Sequence, residues 1–405
     1  MKITKEQARR FIIAHQELLT PRSLDGKEGL IKYINKVGCI QFDPLDMVGM
    51  NPSLVCQSRI KKYNPKLLNE LLYTDRKLLD GWDKNMSIYP VEDYPYFGRY
   101  RKKAYERYSN HSSSINDILE EVREVIRKKG PVSSIDLDFD TTVDWAWAPT
   151  RVARAALESM CFWGELVIEN KIGTRKLYDF TEKYVPKEVF LMEEPNTTIE
   201  EYHQWHIKRR IRAIGLLWER GSDAWLGIYN MKSNDRSKAM LALKEKGEII
   251  PIEVEDIKYT FYVAKEDLAL LEEVIKGITI EPQVAFIGAL DNLIWDRKLI
   301  KEIFGFEYIW EVYKPIEERK YGYYVLPVIY GDRFVARFEP RFHKKTKKLE
   351  IINWWWEPSV TLTRELKKAL NECFQEFKKY LGATKIDISE ELNTSLKLNA
   401  KTIGK

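Results

Sequence analysis

Gln41 and Asp43, in the run Cys39-Ile40-Gln41-Phe42-Asp43-Pro44-Leu45-Asp46, set an amide and a carboxylate two residues apart. In an extended segment, side chains at i and i+2 point to the same side. The two groups would then share one space, with Phe42 turned away. An amide that holds a water beside a carboxylate that accepts its proton is a minimal hydrolytic pair. An Asp before Pro is also an ordinary turn residue, so the pair by itself leaves both readings open.

A second run with chemical potential is Arg341-Phe342-His343-Lys344-Lys345-Thr346-Lys347-Lys348, in which five of eight residues are Lys or Arg. It lies at the tip of a hairpin with apolar arms, Arg333 to Phe338 and Lys348 to Trp355. A solvated turn and a phosphate-gripping or groove-entering hairpin both fit. The basic and aromatic stretch from Tyr94 to Tyr108 reads better as a solvated helix with a tyrosine face on the core than as a nucleic-acid stripe.

Other chemistries find no support. The cysteines, Cys39, Cys56, Cys161 and Cys373, are scattered without a C-x-x-C pair, and His203 and His206 are the only close histidines. Neither a metal site nor a disulfide framework is expected. Gly-x-Gly-x-x-Gly and Gly-x-x-x-x-Gly-Lys are both absent, so no nucleotide cofactor is implied. The start, Met1-Lys2-Ile3-Thr4-Lys5-Glu6, lacks the apolar region of a signal peptide, and no stretch approaches the length of a membrane span. A reducing cytoplasm is the expected setting. The net charge of +5 among 405 residues is modest, so a polyanion partner must be argued from clusters.

The elements that would position these residues are legible in outline. Thr4 and Gln7 form a capping box ahead of Phe11, Ile12, Leu18 and Leu19. A second helix fits Gly29 to Val37, stopped by Gly38. Farther on, Ser114 and Asp117 cap a helix that ends at Gly130-Pro131. A short helix fits Ser133 to Leu137, and Pro149 opens a third helix through Met160. Strands from Gly164 to Glu169 and Arg175 to Phe180 complete three helices and a hairpin, the winged-helix arrangement. The pattern returns with helices from Thr198 to Glu219, from Ser222, and from Asp235 to Lys246, then a hairpin from Ile249 to Val263. Beyond Gly277 strands dominate: Tyr321 to Tyr330 and Arg333 to Phe338 flank Gly331-Asp332, a hairpin turn signal. A helix from Thr361 to Leu381 and a polar, disordered tail follow.

Taken together, residues from about Thr4 to Leu381 resemble the winged-helix DNA glycosylases of the AlkZ/YcaQ type. Gln41-Phe42-Asp43 is similar to that family's Gln-x-Asp motif. Leu293-Ile294-Trp295-Asp296-Arg297 is similar to its V-x-W-D-R stretch, and Arg319 to Pro327 to its R-x-Y-G-Y-x-V-L-P stretch. Lys129-Gly130-Pro131-Val132-Ser133 matches the turn into the second winged-helix module. Two places depart from the pattern. W-A-H-E becomes Trp82-Asp83-Lys84-Asn85, putting Lys84 where the family has His, and S-P-F-D-P becomes Gly288-Ala289-Leu290-Asp291-Asn292.

The resemblance implies an α+β fold of tandem winged-helix modules forming a concave DNA channel, with a C-terminal β-rich region. The modules would span 1–110, 111–190 and 195–275, the β-rich region 280–385, and the tail 386–405. Gln41 and Asp43 inherit the catalytic roles. Arg341, His343, Lys344, Lys345 and Lys347 inherit DNA binding, and Lys84 is expected to bind phosphate. The implied activity is that of a monomeric, monofunctional glycosylase, associated with the nucleoid, on double-stranded DNA with alkylated or crosslinked purines. It needs no cofactor or metal, and water is the expected nucleophile. The rival expectation is a non-catalytic winged-helix DNA-binding protein, either a regulator or a repair accessory.

Overall fold

The first helix, Lys5–His15, begins where the sequence supplies its cap: Thr4 Oγ1 accepts the Gln7 N–H at 3.1 Å, and Gln7 Oε1 accepts the Thr4 N–H at 2.9 Å. The computed structural model describes residues 1–109, 113–145, 148–358, 360–396 and 398. The architecture is α+β, and the chain forms two compact units. One comprises Met1–Leu68, Asp83–Ser87 and His203–Lys405, the other Asn69–Trp82 and Ile88–Tyr202.

The first unit carries the site. Its five-stranded sheet runs in the order Val284–Phe286, Leu326–Tyr330, Arg333–His343, Lys348–Trp356, Lys385–Asp387. All pairings are antiparallel except the last. Pro340 can give no N–H to the ladder, and the register shifts between Glu339 and Pro340. Helix Arg364–Leu381 covers the sheet, with Phe374 and Phe377 edge-on to Phe286 at 4.9 and 5.1 Å. A four-stranded sheet in the same unit places Lys2–Ile3 parallel to Ile249–Val254, followed by Thr260–Ala264 and Leu217–Trp218.

The second unit has its own core. Val122 and Ile126 of helix Leu119–Lys129 pack with Ala155, Ala156 and Met160 of helix Val152–Phe162 and with the hairpin Leu166–Ile172/Arg175–Phe180. In helix Gly98–Tyr108 of this unit, Arg101 lies 3.7 Å from the Tyr94 ring centroid, and Arg99 donates to the Asn196 and Thr197 carbonyls.

Several expected elements end elsewhere, each for a local reason. The helix from Ser114 breaks at Asp117-Ile118 into Ser113–Asn116 and Leu119–Lys129. The helix expected to reach Glu219 stops at Ile214, because Gly215 takes φ +104° and any Cβ there would lie 2.7 Å from the His15 ring. The helix expected from Ser222 is a single 3₁₀ turn, Asp223–Trp225. The strand expected from Tyr321 starts only at Leu326, since the Tyr321 and Tyr323 N–H groups go to the Glu311 and Glu339 carboxylates at 2.9 and 2.8 Å instead of to a ladder. The supposed disordered tail is part of the fold. Its start falls within strand Lys385–Asp387, helix Glu390–Leu396 follows, and Leu396 and Leu398 are buried in the sheet's core. Lys397 and residues 399–405 of that tail lie outside the described residues.

Candidate active site

The strand Ile40–Gln41 is held by side-chain amides from distant parts of the chain. Asn292 Nδ2 donates to the Cys39 carbonyl at 2.9 Å, and Asn51 Nδ2 donates to the Gln41 carbonyl at 2.8 Å. Asn51 Oδ1 in turn accepts the Leu290 N–H at 3.1 Å. The Leu290–Asn292 turn is fixed from below by a buried ion pair. Asp291 takes both Arg59 Nη atoms at 2.8 Å each and accepts the Leu293 N–H at 3.0 Å. Arg59 also donates to the Gln16 carbonyl and lies over the Tyr33 ring. The stretch 288–296, picked out by resemblance alone, is therefore a clamp on the segment that carries Gln41. Within it Asp296 caps helix Arg297–Phe304 through the Leu299 N–H and accepts the Trp218 indole N–H at 2.6 Å.

Gln41 is 6% exposed, and its Oε1 accepts from Lys84 Nζ at 3.0 Å. Lys84, expected to bind phosphate, is 4% exposed, with its ammonium 5.0 Å from the Trp295 ring centroid. So enclosed, the ammonium is engaged by Gln41 and the Trp295 ring. Its neighbour Asp83 is locked by Arg209 Nε at 2.6 Å and by Arg210. Burial alone would raise the Asp83 pKa, but the Arg210 and Arg209 guanidiniums overcome it and hold the carboxyl well below the usual carboxylate range. Gly227 makes this approach possible: a Cβ there would stand 2.0 Å from the Asp83 carbonyl oxygen.

Asp43 sits differently from Gln41. The strand ends at Gln41, so the alternation that would point both side chains one way does not extend to Asp43. Asp43 Oδ1 accepts the Leu45 N–H at 2.9 Å, an Asx turn of the kind its place before Pro44 favours. The chain beyond is pinned, because Leu45, Met47 and Val48 pack into the core of the five-stranded sheet. Burial raises the Asp43 pKa, opposed only by that Leu45 hydrogen bond. Tyr313, 82% exposed, lies within the field of this carboxylate: its phenol pKa is raised first by desolvation and then by Asp43.

The basic hairpin is seated on the same loop. Phe342 N–H donates to the Met47 carbonyl at 2.8 Å, and Lys344 Nζ meets Asp46 Oδ2 at 2.6 Å. On its other side the Thr384 N–H donates to the Lys347 carbonyl at 2.8 Å, just before Lys385–Asp387 joins the sheet. The tip is thus braced from both sides rather than projecting freely, and Arg341, His343, Lys344, Lys345 and Lys347 all stay exposed. His343 Nε2 pairs with Glu350 Oε2 at 2.9 Å. The structure brings Lys84 to Gln41 and Lys344 to the Asp43 loop.

No sequence pattern marks Asn51, Arg59 or Tyr313 as part of the site. Asn51-Pro52 reads as a helix start, which it is, and nothing local to Arg59 or Tyr313 announces a distant partner. Among the described residues no cluster of three or more His, Cys, Asp or Glu side chains is placed to hold a metal, and no helix is long and apolar enough to cross a membrane. A family model described as DNA glycosylase AlkZ-like matches residues 34–380. Among solved structures, the fold is similar to that of Streptomyces sahachiroi DNA glycosylase AlkZ, with a TM-score of 0.62 over 96% of this chain and 100% of that one at 14% identity.

Proposed function

Because the chain belongs to the AlkZ-like DNA glycosylase family, we propose that it removes cationic alkylated purines, of the N7-alkylguanine and N3-alkyladenine type, from duplex DNA and unhooks interstrand crosslinks built on such bases. Gln41 and Asp43 form the hydrolytic pair. The observation that supports this reading most directly is the seating of the basic hairpin on the Asp43 loop, through Phe342 to Met47 and Lys344 to Asp46. The basic tip and a half-buried carboxylate then belong to one hydrogen-bonded loop and hairpin.

A cationic purine is a good leaving group and needs little general-acid help. As the C1′–N9 bond breaks, its electron pair neutralises the base, and positive charge develops on the sugar. Asp43 as carboxylate stabilises that oxocarbenium and accepts a proton from the water whose oxygen attacks C1′. Desolvation that raises the Asp43 pKa makes it a better proton acceptor than an exposed carboxylate. The Tyr313 ring offers a surface on which an unstacked base can rest. A base tethered to the opposite strand cannot be extruded fully, so an open site is the compatible one.

The successions of helices and hairpin in 111–190 and 195–275 serve as winged-helix modules, and the β-rich region supplies the DNA-contacting hairpin. The enzyme acts as a monomer with the nucleoid and takes no cofactor. The test is base release from a labelled duplex with a single N7-methylguanine under single-turnover conditions. Wild type should release the base, and Asp43→Asn should lose on the order of 10²-fold or more in rate while keeping its DNA affinity. Tight binding without release by either protein would favour a non-catalytic DNA-binding role.

A further inference from the structure

Among the described residues, Lys84 is the buried ammonium that touches the proposed hydrolytic pair, and its hydrogen bond to Gln41 is directional. An ammonium has three donors and no acceptor. The Gln41 atom facing Lys84 Nζ at 3.0 Å must therefore be the carbonyl oxygen, which settles which way round the amide lies. What Gln41 then presents to the reaction is its NH₂ group, a donor. We propose that Lys84 is the positioning residue for Gln41, fixing its amide so that Nε2 donates to the oxygen of the attacking water. It follows that Gln41 cannot take the water's proton, which leaves that task to Asp43. This inference rests on the hydrolytic reading above and deepens it.

The position of Lys84 is fixed on every side. Asp83 before it is clamped by Arg209 and Arg210, and its own carbonyl accepts from Ser87 Oγ at 3.0 Å. Trp295, the ring beneath its ammonium, is itself held by an indole hydrogen bond to the Leu290 carbonyl at 3.1 Å. After burial, the charged and titratable groups that act most strongly on Lys84 are Arg210, Asp223, the Cys39 thiol and Arg297. Burial, then Arg210, pushes the Lys84 pKa down to about 8. Below that pH it only donates. Above it, the neutral amine can accept from Nε2 as well, and the amide is free to turn over.

The experiment compares wild type, Lys84→Arg, Lys84→Met, Gln41→Ala and the Lys84→Met/Gln41→Ala double variant on the N7-methylguanine duplex, from pH 6 to about 10, alongside thermal melts. Wild-type rate should fall above pH about 8, and the fall should vanish in Lys84→Arg, whose guanidinium does not deprotonate. Lys84→Met should lose roughly 10²-fold in rate with DNA affinity and melting temperature kept, the scale of a misplaced reacting group. The double variant should be no slower than Gln41→Ala, since Lys84 acts through Gln41. A Lys84→Met variant as fast as wild type, or a double variant slower by the product of the two single losses, overturns the inference and leaves the hydrolytic reading standing. A borohydride-trapped protein–DNA adduct that Lys84→Arg abolishes would make Lys84 the nucleophile in place of water, and would overturn the inference and the hydrolytic role of the pair together. If wild type itself releases no base, both fall together.

Discussion

Asp43 and Lys84 are moved by one cause in opposite directions: burial raises the pKa of the acid and lowers that of the base. For Asp43 the sign has two consequences. Folding raises its pKa, so the folded state holds this proton more tightly than the unfolded chain. The group then favours folding as pH falls through that window, and burdens the fold above it. Asp43→Asn removes a partly desolvated charge and keeps an oxygen for the Leu45 N–H. Its urea midpoint at neutral pH should therefore equal or exceed that of wild type, even as its rate collapses. Base release by wild type should also be lost toward acid, with a midpoint above the ordinary aspartate value, read from a pH–rate profile. A profile flat through that region would remove Asp43 from the chemistry.

At the scale of elements, two arrangements hold the site. The Arg59–Asp291 pair ties the end of helix Asn51–Gln57 to the 288–296 clamp, with both side chains wholly enclosed. Breaking a buried pair by removing one partner strands the other charge, at a cost of about 3–5 kcal/mol. Arg59→Met should lower the urea-unfolding free energy by that order. The hairpin tip behaves differently, because its Lys344–Asp46 ion pair is exposed, and such pairs contribute roughly 0–1 kcal/mol. Replacing Lys344, Lys345 and Lys347 with Ser should leave the melting temperature nearly unchanged. It should weaken DNA binding and flatten the log–log salt dependence by about 0.9 for each phosphate that is no longer neutralised. An unchanged salt slope would mean that the tip does not touch the backbone.

For the whole molecule, the two compact units have separate cores, one around Phe286, Phe338 and Phe374, the other around Val122, Ala156 and Met160. Each core buries its own apolar faces, so a single cooperative transition is not required. Calorimetry should give a measured unfolding enthalpy larger than the van't Hoff value, whereas equal values would show the two cores melting as one.

What the sequence determined by itself lies within a few residues of where it is written. The Thr4–Gln7 box, the stop at Gly38, the turn at Gly331-Asp332 and the paired strands around the basic run depend on local dihedrals, caps and alternation, and the structure places them where they were read. The order of short motifs along the chain also sufficed to indicate the family. The fate of the individual side chains was decided by tertiary structure. Lys84 meets Gln41 across 43 residues, and Arg59 meets Asp291 across 232. No local rule says that a lysine in a polar turn will be enclosed. Its burial follows from the Trp295 ring beneath it and from Arg209 and Arg210, which hold its neighbour. Likewise the polar composition of the tail predicts disorder, but the edge of strand Lys348–Trp356 offers unpaired backbone groups to Lys385–Asp387. Such an edge exists only once the sheet has formed.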